Sequence, residues 1–188
     1  MFVLGIDPGG KSGAGLLKGI NKNDITVELF SEIKGLTELS VFIPKYKTFK
    51  YKLLAYFSEH LGRVAVWEDV KTLIDHIYLE DQYLDTKFLN PHPVKQIIRK
   101  RTWWEFALFQ DFGNIIKTKF PNSWQSDMEA SGRGIKRLDR IKIVKKYILD
   151  RWDIKPANDP ACAIGIAFGG MLDELKIISD IQKPLKLL

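Results

Sequence analysis

The chain opens on an apolar run, Phe2-Val3-Leu4 and Ile6, of the aliphatic and β-branched kind that fills strands, and it ends on a carboxylate, Asp7. Pro8, Gly9 and Gly10 turn the chain, and Ala14 to Leu17 begins a second apolar run. Asn21-Lys22-Asn23-Asp24 reads as the next turn and Ile25 to Phe30 as a third strand. Three antiparallel strands are therefore expected first. Residues 31–47 lack periodicity, contain Pro44 and read as irregular. Leu53, Leu54, Phe57 and Leu61 recur at helical spacing over 48–61, and Gly62 supplies the stop. Val64-Ala65-Val66-Trp67 is too brief for a helix and reads as a buried strand ending on Glu68-Asp69.

Residues 70–120 read as mostly helical, broken at Asn90-Pro91-His92-Pro93, with a short strand just before Pro121. Over 133–151, Ile135, Leu138, Ile141, Val144 and Ile148 mark one face of an amphipathic helix whose other face is basic. Pro156 and Asn158 bound a linker. Asp159-Pro160 then opens a last helix, rich in small apolar residues, to about Leu175. No repeat or low-complexity tract interrupts 1–188. Three strands, helix, strand and helices make an α/β layered domain.

At 188 residues and 45% hydrophobic, the chain is long enough for one domain with a sizeable core. No apolar stretch reaches bilayer length, so no membrane partner is expected, and Asp7 and the early glycines do not fit a signal peptide. One cysteine, Cys162, excludes an internal disulfide and suits a reducing compartment. The net charge of +6 favours a polyanionic partner. Its distribution says more. Lys95 to Arg101 is basic and runs straight to Trp103-Trp104, and 133–146 carries Arg133, Lys136, Arg137, Arg140, Lys142, Lys145 and Lys146. Basic stretches interleaved with aromatics suit phosphate neutralisation and base stacking. The tryptophan pair equally suits a core or dimer contact. His60, His76 and His92 lack metal-ligand spacing, and Gly9-Gly10-Lys11-Ser12 lacks the glycine spacing of a phosphate-binding P-loop.

Three acids fall at element ends: Asp7 after the first strand, Glu68 after the expected fourth, and Asp159 at the last helix start. Taken singly, each has a plain structural role as a turn former, a solvated strand end or a helix cap. Taken together, carboxylates around one pocket repel one another unless a cation lies between them. Oxygen ligands suit Mg²⁺, and two such ions can activate water and stabilise a leaving phosphodiester oxygen.

The opening Gly5-Ile6-Asp7-Pro8-Gly9, followed by Ser12-Gly13, resembles the first motif of the RuvC-type Holliday-junction resolvases of the RNase H-like superfamily. Val64 to Glu68 resembles the second, an apolar strand ending in Glu. Pro121-Asn122-Ser123-Trp124 is similar to a Pro-x-x-Trp of phage-type members. The basic helix and Asp159-Pro160-Ala161-Cys162-Ala163 resemble the closing motif. The resemblance implies a mixed sheet flanked by helices. It implies Asp7, Glu68 and Asp159 as catalytic metal ligands, and Mg²⁺, with Mn²⁺ as an alternative, at two ions per site. It implies a homodimer that cuts four-way or branched DNA in the cytoplasm of a bacterial or phage-infected cell. Lys11, Arg99, Lys100, Arg101, Arg133, Lys136 and Arg137 are the candidate DNA contacts.

One position departs from the pattern. The family's fourth acid falls on Cys162, and a soft thiol is a poor Mg²⁺ ligand. Asp69, Asp153 and Asp173 are conceivable substitutes, and packing of a helix on a sheet is the plain role for Cys162. This departure supports an alternative: a catalytically weak, branched-DNA-binding protein of the same fold. Actin-like ATPases have a similar first loop, but they need about twice this length and a second such loop.

Overall fold

The computed structural model describes residues 1–9, 11–81 and 91–181. Strands β1 (Phe2–Asp7), β2 (Gly13–Gly19) and β3 (Ile25–Glu32) form the expected antiparallel meander. Two further strands, β4 (His76–Glu80) and β5 (Ile116–Lys119), add parallel to β1, giving one sheet in the order β3-β2-β1-β4-β5. Helices α1 (Leu39–Leu61), α2 (Trp67–Leu73) and α3 (Pro91–Phe112) lie in the first half of the chain. Helices α4 (Pro121–Asp127), α5 (Arg137–Trp152) and α6 (Asn158–Ile181) follow β5.

The period of two along β1 divides the core. Phe2, Leu4 and Ile6 enter a cluster with α1, α2 and α3, while Val3 enters a second cluster with α4, α5 and α6. Gly5 shares the face of Val3, and α6 lies so close there that a Cβ on Gly5 would meet the Ala163 carbonyl oxygen at 2.2 Å. On β2, a Cβ on Gly13 would meet the Asp159 carbonyl oxygen at 2.1 Å. Strand glycines and the small residues of α6 thus let a helix rest directly on the sheet. That close approach brings the start of α6 to the end of β1.

Several expected elements differ. Val64–Trp67 is not a strand: Val64 and Val66 are exposed, and α2 begins at Trp67. Asp69 explains this, because its carboxylate accepts the Val66 N–H at 2.9 Å and stands in the helix's first turn with Glu68. The strand that pairs with β1 comes later, as His-Ile-Tyr-Leu-Glu within the segment read as helical. His76 accordingly opens β4 instead of sitting on a helix, and its Nε2 lies 3.5 Å from Glu174.

The first helix starts at Leu39 and runs through Pro44. Interior proline costs a helix about 3 kcal/mol. Phe42, Tyr46, Phe49, Leu53 and Phe57 make one buried stripe, and each such side chain returns about 1.5–3 kcal/mol. The basic helix begins at Arg137, not 133, so Ile135 precedes it, and Leu138 is exposed instead of facing the core. The last helix begins one residue early, at Asn158, and extends to Ile181. Asn90 lies outside the described residues, and Pro91 opens α3. Trp104 is fully buried against Phe42, Tyr46 and Phe49, so the core role holds for that ring. Among the described residues no helix is long and apolar enough to cross a membrane.

Candidate active site

Parallel pairing of β1 and β4 sets Ile6 beside Leu79, and the same register carried one step further sets Asp7 beside Glu80. Neighbours in register point to the same face, here the face covered by α6. Helix α6 delivers Asp159 from its first turn and Cys162 one turn later. Asp7, Glu80, Asp159 and Cys162 all line one cleft of about 960 Å³.

Each group is held. The Asp7 side chain is buried, accepts the Gly9 N–H at 2.8 Å and takes a further hydrogen bond from the Cys162 thiol. A Cβ on Gly9 would meet Asp7 Oδ1 at 2.7 Å, so only glycine fits that turn. Asp159 Oδ2 accepts the Lys11 N–H at 3.1 Å, tying α6 to the first loop. The loop is braced from the other side, where Trp104 Nε1 donates to Ser12 Oγ at 3.2 Å. Glu80, also buried, accepts the Trp124 indole N–H at 3.0 Å. Pro121 at the start of α4 aims that ring into a groove of α6, where a Cβ on Gly165 would meet it at 2.6 Å.

The electrostatics follow from this crowding. Burial, and then the Asp7 charge, raise the Glu80 carboxyl to about 8, against the opposing pull of the Trp124 N–H. Burial raises Asp7 to about 6 and Asp159 adds to this, while the Gly9 N–H, Arg137 and the Cys162 thiol pull the other way. Burial and all three carboxylates push the Cys162 thiol up, so it sits there protonated as a donor. Lys100 and Arg137 line the same cleft, and partial burial lowers the Lys100 ammonium while Asp159 opposes that shift.

The donor set is oxygen-rich, with three carboxyl groups on one cleft, which fits a hard divalent ion. Among the described residues no three acids, histidines or cysteines already close on one point. The acids thus face a shared open cleft instead of forming a finished cage.

Of the acids expected from the sequence, Asp7 and Asp159 stand in this cleft. Glu68 does not: it sits on α2 with its side chain 75% exposed and paired with Lys71 at 2.8 Å. Glu80 stands where the second acid was expected. The signal for it was present, since Ile77-Tyr78-Leu79 is also an apolar run ending in an acid pair, Glu80-Asp81. The conceivable substitutes are elsewhere engaged. Asp69 pairs with Arg63 at 2.7 Å, Asp153 ends α5 in a left-handed conformation, and Asp173 pairs with Lys119 at 2.5 Å.

The basic candidates divide similarly. Lys11, Lys100 and Arg137 line the cleft. Arg99 lines an adjoining hollow with Lys95 and Trp103. Arg101 turns to Asp81, Arg133 is exposed before α5, and Lys136 is exposed at the α5 N-cap.

Trp124→Phe keeps the ring in its groove and deletes the donor to Glu80. A lost hydrogen bond to a buried carboxyl costs about 1–3 kcal/mol, and loosening of a ligand's partner costs metal affinity about 10–100-fold. Urea denaturation and calorimetric titration with Mn²⁺ should register both losses, and Trp124→Leu should be worse on stability alone.

No family model and no curated protein matches the sequence. Solved structures do. A structure of T. thermophilus RuvC in complex with a Holliday junction substrate matches at TM-score 0.64 and 14% identity, over 94% of this chain and 96% of that one. A second structure of Thermus thermophilus RuvC matches at TM-score 0.56 and 16% identity, over 93% and 95%. Nearly end-to-end superposition with the same mixed sheet assigns the architecture: the chain has the RuvC fold, of RNase H-like type.

Proposed function

We propose that this chain is a divalent-metal-dependent endonuclease for branched DNA, with Asp7, Glu80 and Asp159 as its carboxylates. The observation that carries this reading is the meeting of acids from β1, β4 and α6 in one cleft that also holds Lys11, Lys100 and Arg137. The matched fold is that of a protein whose structure was solved in complex with a Holliday junction substrate, which supports a four-way junction as the substrate class.

Bound divalent ions would supply an activated water and Lewis-acid stabilisation of the leaving oxygen. The protein's own groups do the rest. The Gly9 N–H and the Cys162 thiol fix Asp7, Trp124 fixes Glu80, and the Lys11 N–H fixes Asp159. Lys100 and Arg137 draw a phosphodiester into the cleft and stabilise the charge that grows on its non-bridging oxygens. In-line attack by water with loss of the 3′-oxygen leaves a 5′-phosphate and a 3′-hydroxyl. A four-way junction offers two symmetric strands, which a homodimer matches. One domain spanning the chain, acting in the cytoplasm of a bacterial or phage-infected cell, completes the reading.

A second reading rests on Cys162. Its sulfur occupies the place expected for a fourth acid and is spent on Asp7, which favours a protein that binds junctions and cuts them poorly.

The test is an end-labelled immobile four-way junction incubated with Mg²⁺, Mn²⁺ or EDTA. Paired, symmetric nicks that need metal are expected. Tight binding with no nicks in either metal selects the second reading, and equal affinity for plain duplex removes branched DNA as the substrate. Cys162→Asp adds a hard ligand and should raise cleavage at limiting Mg²⁺ about tenfold.

A further inference from the structure

Helix α3 is anchored in the core at one end and reaches over the cleft at the other. Trp104 and Leu108 are fully buried, whereas none of residues 95–100 is buried, and Gln96, Ile97 and Lys100 line the cleft. The first anchor below this overhang is Trp104, whose ring packs edge-on against Phe42, Tyr46 and Phe49. An indole in such surroundings requires an acceptor for its N–H, and the one it reaches is Ser12 Oγ at 3.2 Å. Ser12 is itself fully buried, with a left-handed φ of 44°. That conformation costs a residue with a side chain free energy and persists only where the surroundings fix it. Here they do so in four ways. The Ser12 N–H donates to the Gly9 carbonyl oxygen at 3.2 Å, and the Ser12 carbonyl oxygen accepts the Ile33 N–H at 2.9 Å. The hydroxyl donates to the Gly9 carbonyl oxygen at 3.5 Å while accepting the Trp104 N–H. Of these bonds, only the one from Trp104 comes from a helix.

We propose that Trp104 and Ser12 form a latch that sets α3 in register with the first loop, and that both are positioning residues for the acids of the cleft. Neither lines the cleft. They act through the residues beside them. Gly9, which Ser12 grips twice, donates its N–H to Asp7, and Lys11, next to Ser12 in the chain, donates its N–H to Asp159. Lys100 stands one turn before Trp104, about 40° round the helix and about 6 Å along it. The same bond therefore fixes the reach of the Lys100 ammonium, which lies close enough to Asp159 to feel its charge. What the acids then do rests on the nuclease reading above.

Trp104→Phe keeps the ring and deletes the donor, and Ser12→Ala deletes the acceptor. In both variants, without metal or DNA, the amides of Lys11 and Ile33 should exchange with solvent about tenfold faster than in the native chain. Calorimetric titration should show Mn²⁺ bound about tenfold more weakly. The double variant should lose no more than the worse single, as expected for two ends of one bond. Ser12→Gly separates the latch from backbone conformation alone, since glycine takes a φ of 44° freely but lacks the hydroxyl. It should match Ser12→Ala. Native exchange and native affinity in Ser12→Gly overturn the proposal. So does unchanged exchange at Lys11 in Trp104→Phe, or faster exchange with unchanged Mn²⁺ affinity in a chain that binds Mn²⁺. A native chain that binds no Mn²⁺ removes the metal reading, and this one with it. Should Trp104→Phe misfold, Ser12→Ala and Ser12→Gly decide.

Discussion

On the proposed reading, Glu80→Gln should lower metal-dependent junction cleavage by about 10³-fold or more, and Glu68→Gln should leave it unchanged. A ligand carboxylate that helps hold a metal supports several kcal/mol of transition-state stabilisation, and each 1.4 kcal/mol is a factor of ten. Glutamine keeps the shape of Glu80 and its contact with Trp124 but removes the charge. Glu68 faces solvent and pairs with Lys71, an exposed contact of the kind that contributes little. Single-turnover cleavage of a labelled junction by the two variants measures the contrast directly. Asp7→Asn should match Glu80→Gln. Equal activity of Glu80→Gln and the native chain would remove Glu80 from the site, and loss of activity in Glu68→Gln would return the second acid to α2.

That contrast also marks where the sequence was legible. Asp7 was readable because an unbroken apolar run, a proline and glycines leave one place for it. Asp159 was readable because Asp-Pro starts helices, although Asn158 takes the first position. The second acid was not, because two short apolar runs, Val64–Trp67 and Ile77–Leu79, each end in an acid pair. Runs of three or four residues carry no period that separates strand from helix turn. What decides is Asp69, whose reach back to Val66 makes the first run a helix start, and the pairing of β4 with β1, which is a long-range fact. The hydrogen bond of Trp124 to Glu80 was likewise invisible, though Pro-x-x-Trp was noted. Leu138 failed for a simpler reason: its place in the apolar period lies in the helix's first turn, beyond the edge of the core.

The same crowding of acids should make the metal-free protein's stability fall as pH rises from 5 to 8. The sign follows from the direction of the shifts. Asp7 and Glu80 have ordinary values of 3.8 and 4.5 in the unfolded chain and are raised to about 6 and about 8 in the fold. Between those limits the folded state binds more protons than the unfolded one. The contribution is therefore fully present below about pH 4 and is lost as pH climbs through the raised values. Carboxylates with lowered values, such as Glu28 and Glu174, act in the opposite sense, but only below about pH 4.5, outside this window. A loss on the order of 2–4 kcal/mol across pH 5 to 8 corresponds to a fall in Tm of roughly 5–10 °C for a chain of this size. Glu80→Gln should flatten that slope and raise the metal-free Tm at pH 8, so the variant that abolishes cleavage also stabilises the fold. Saturating Mg²⁺ or Mn²⁺ should restore the native chain's Tm at pH 8 more than at pH 5.5, since protons compete with the metal for the same oxygens. Calorimetric scans of both proteins, with metal and with EDTA, measure all three effects at once. A Tm that rises with pH in the metal-free native chain would mean that Asp7 and Glu80 share their cleft without repulsion, and the electrostatic case for a cation between them would fail.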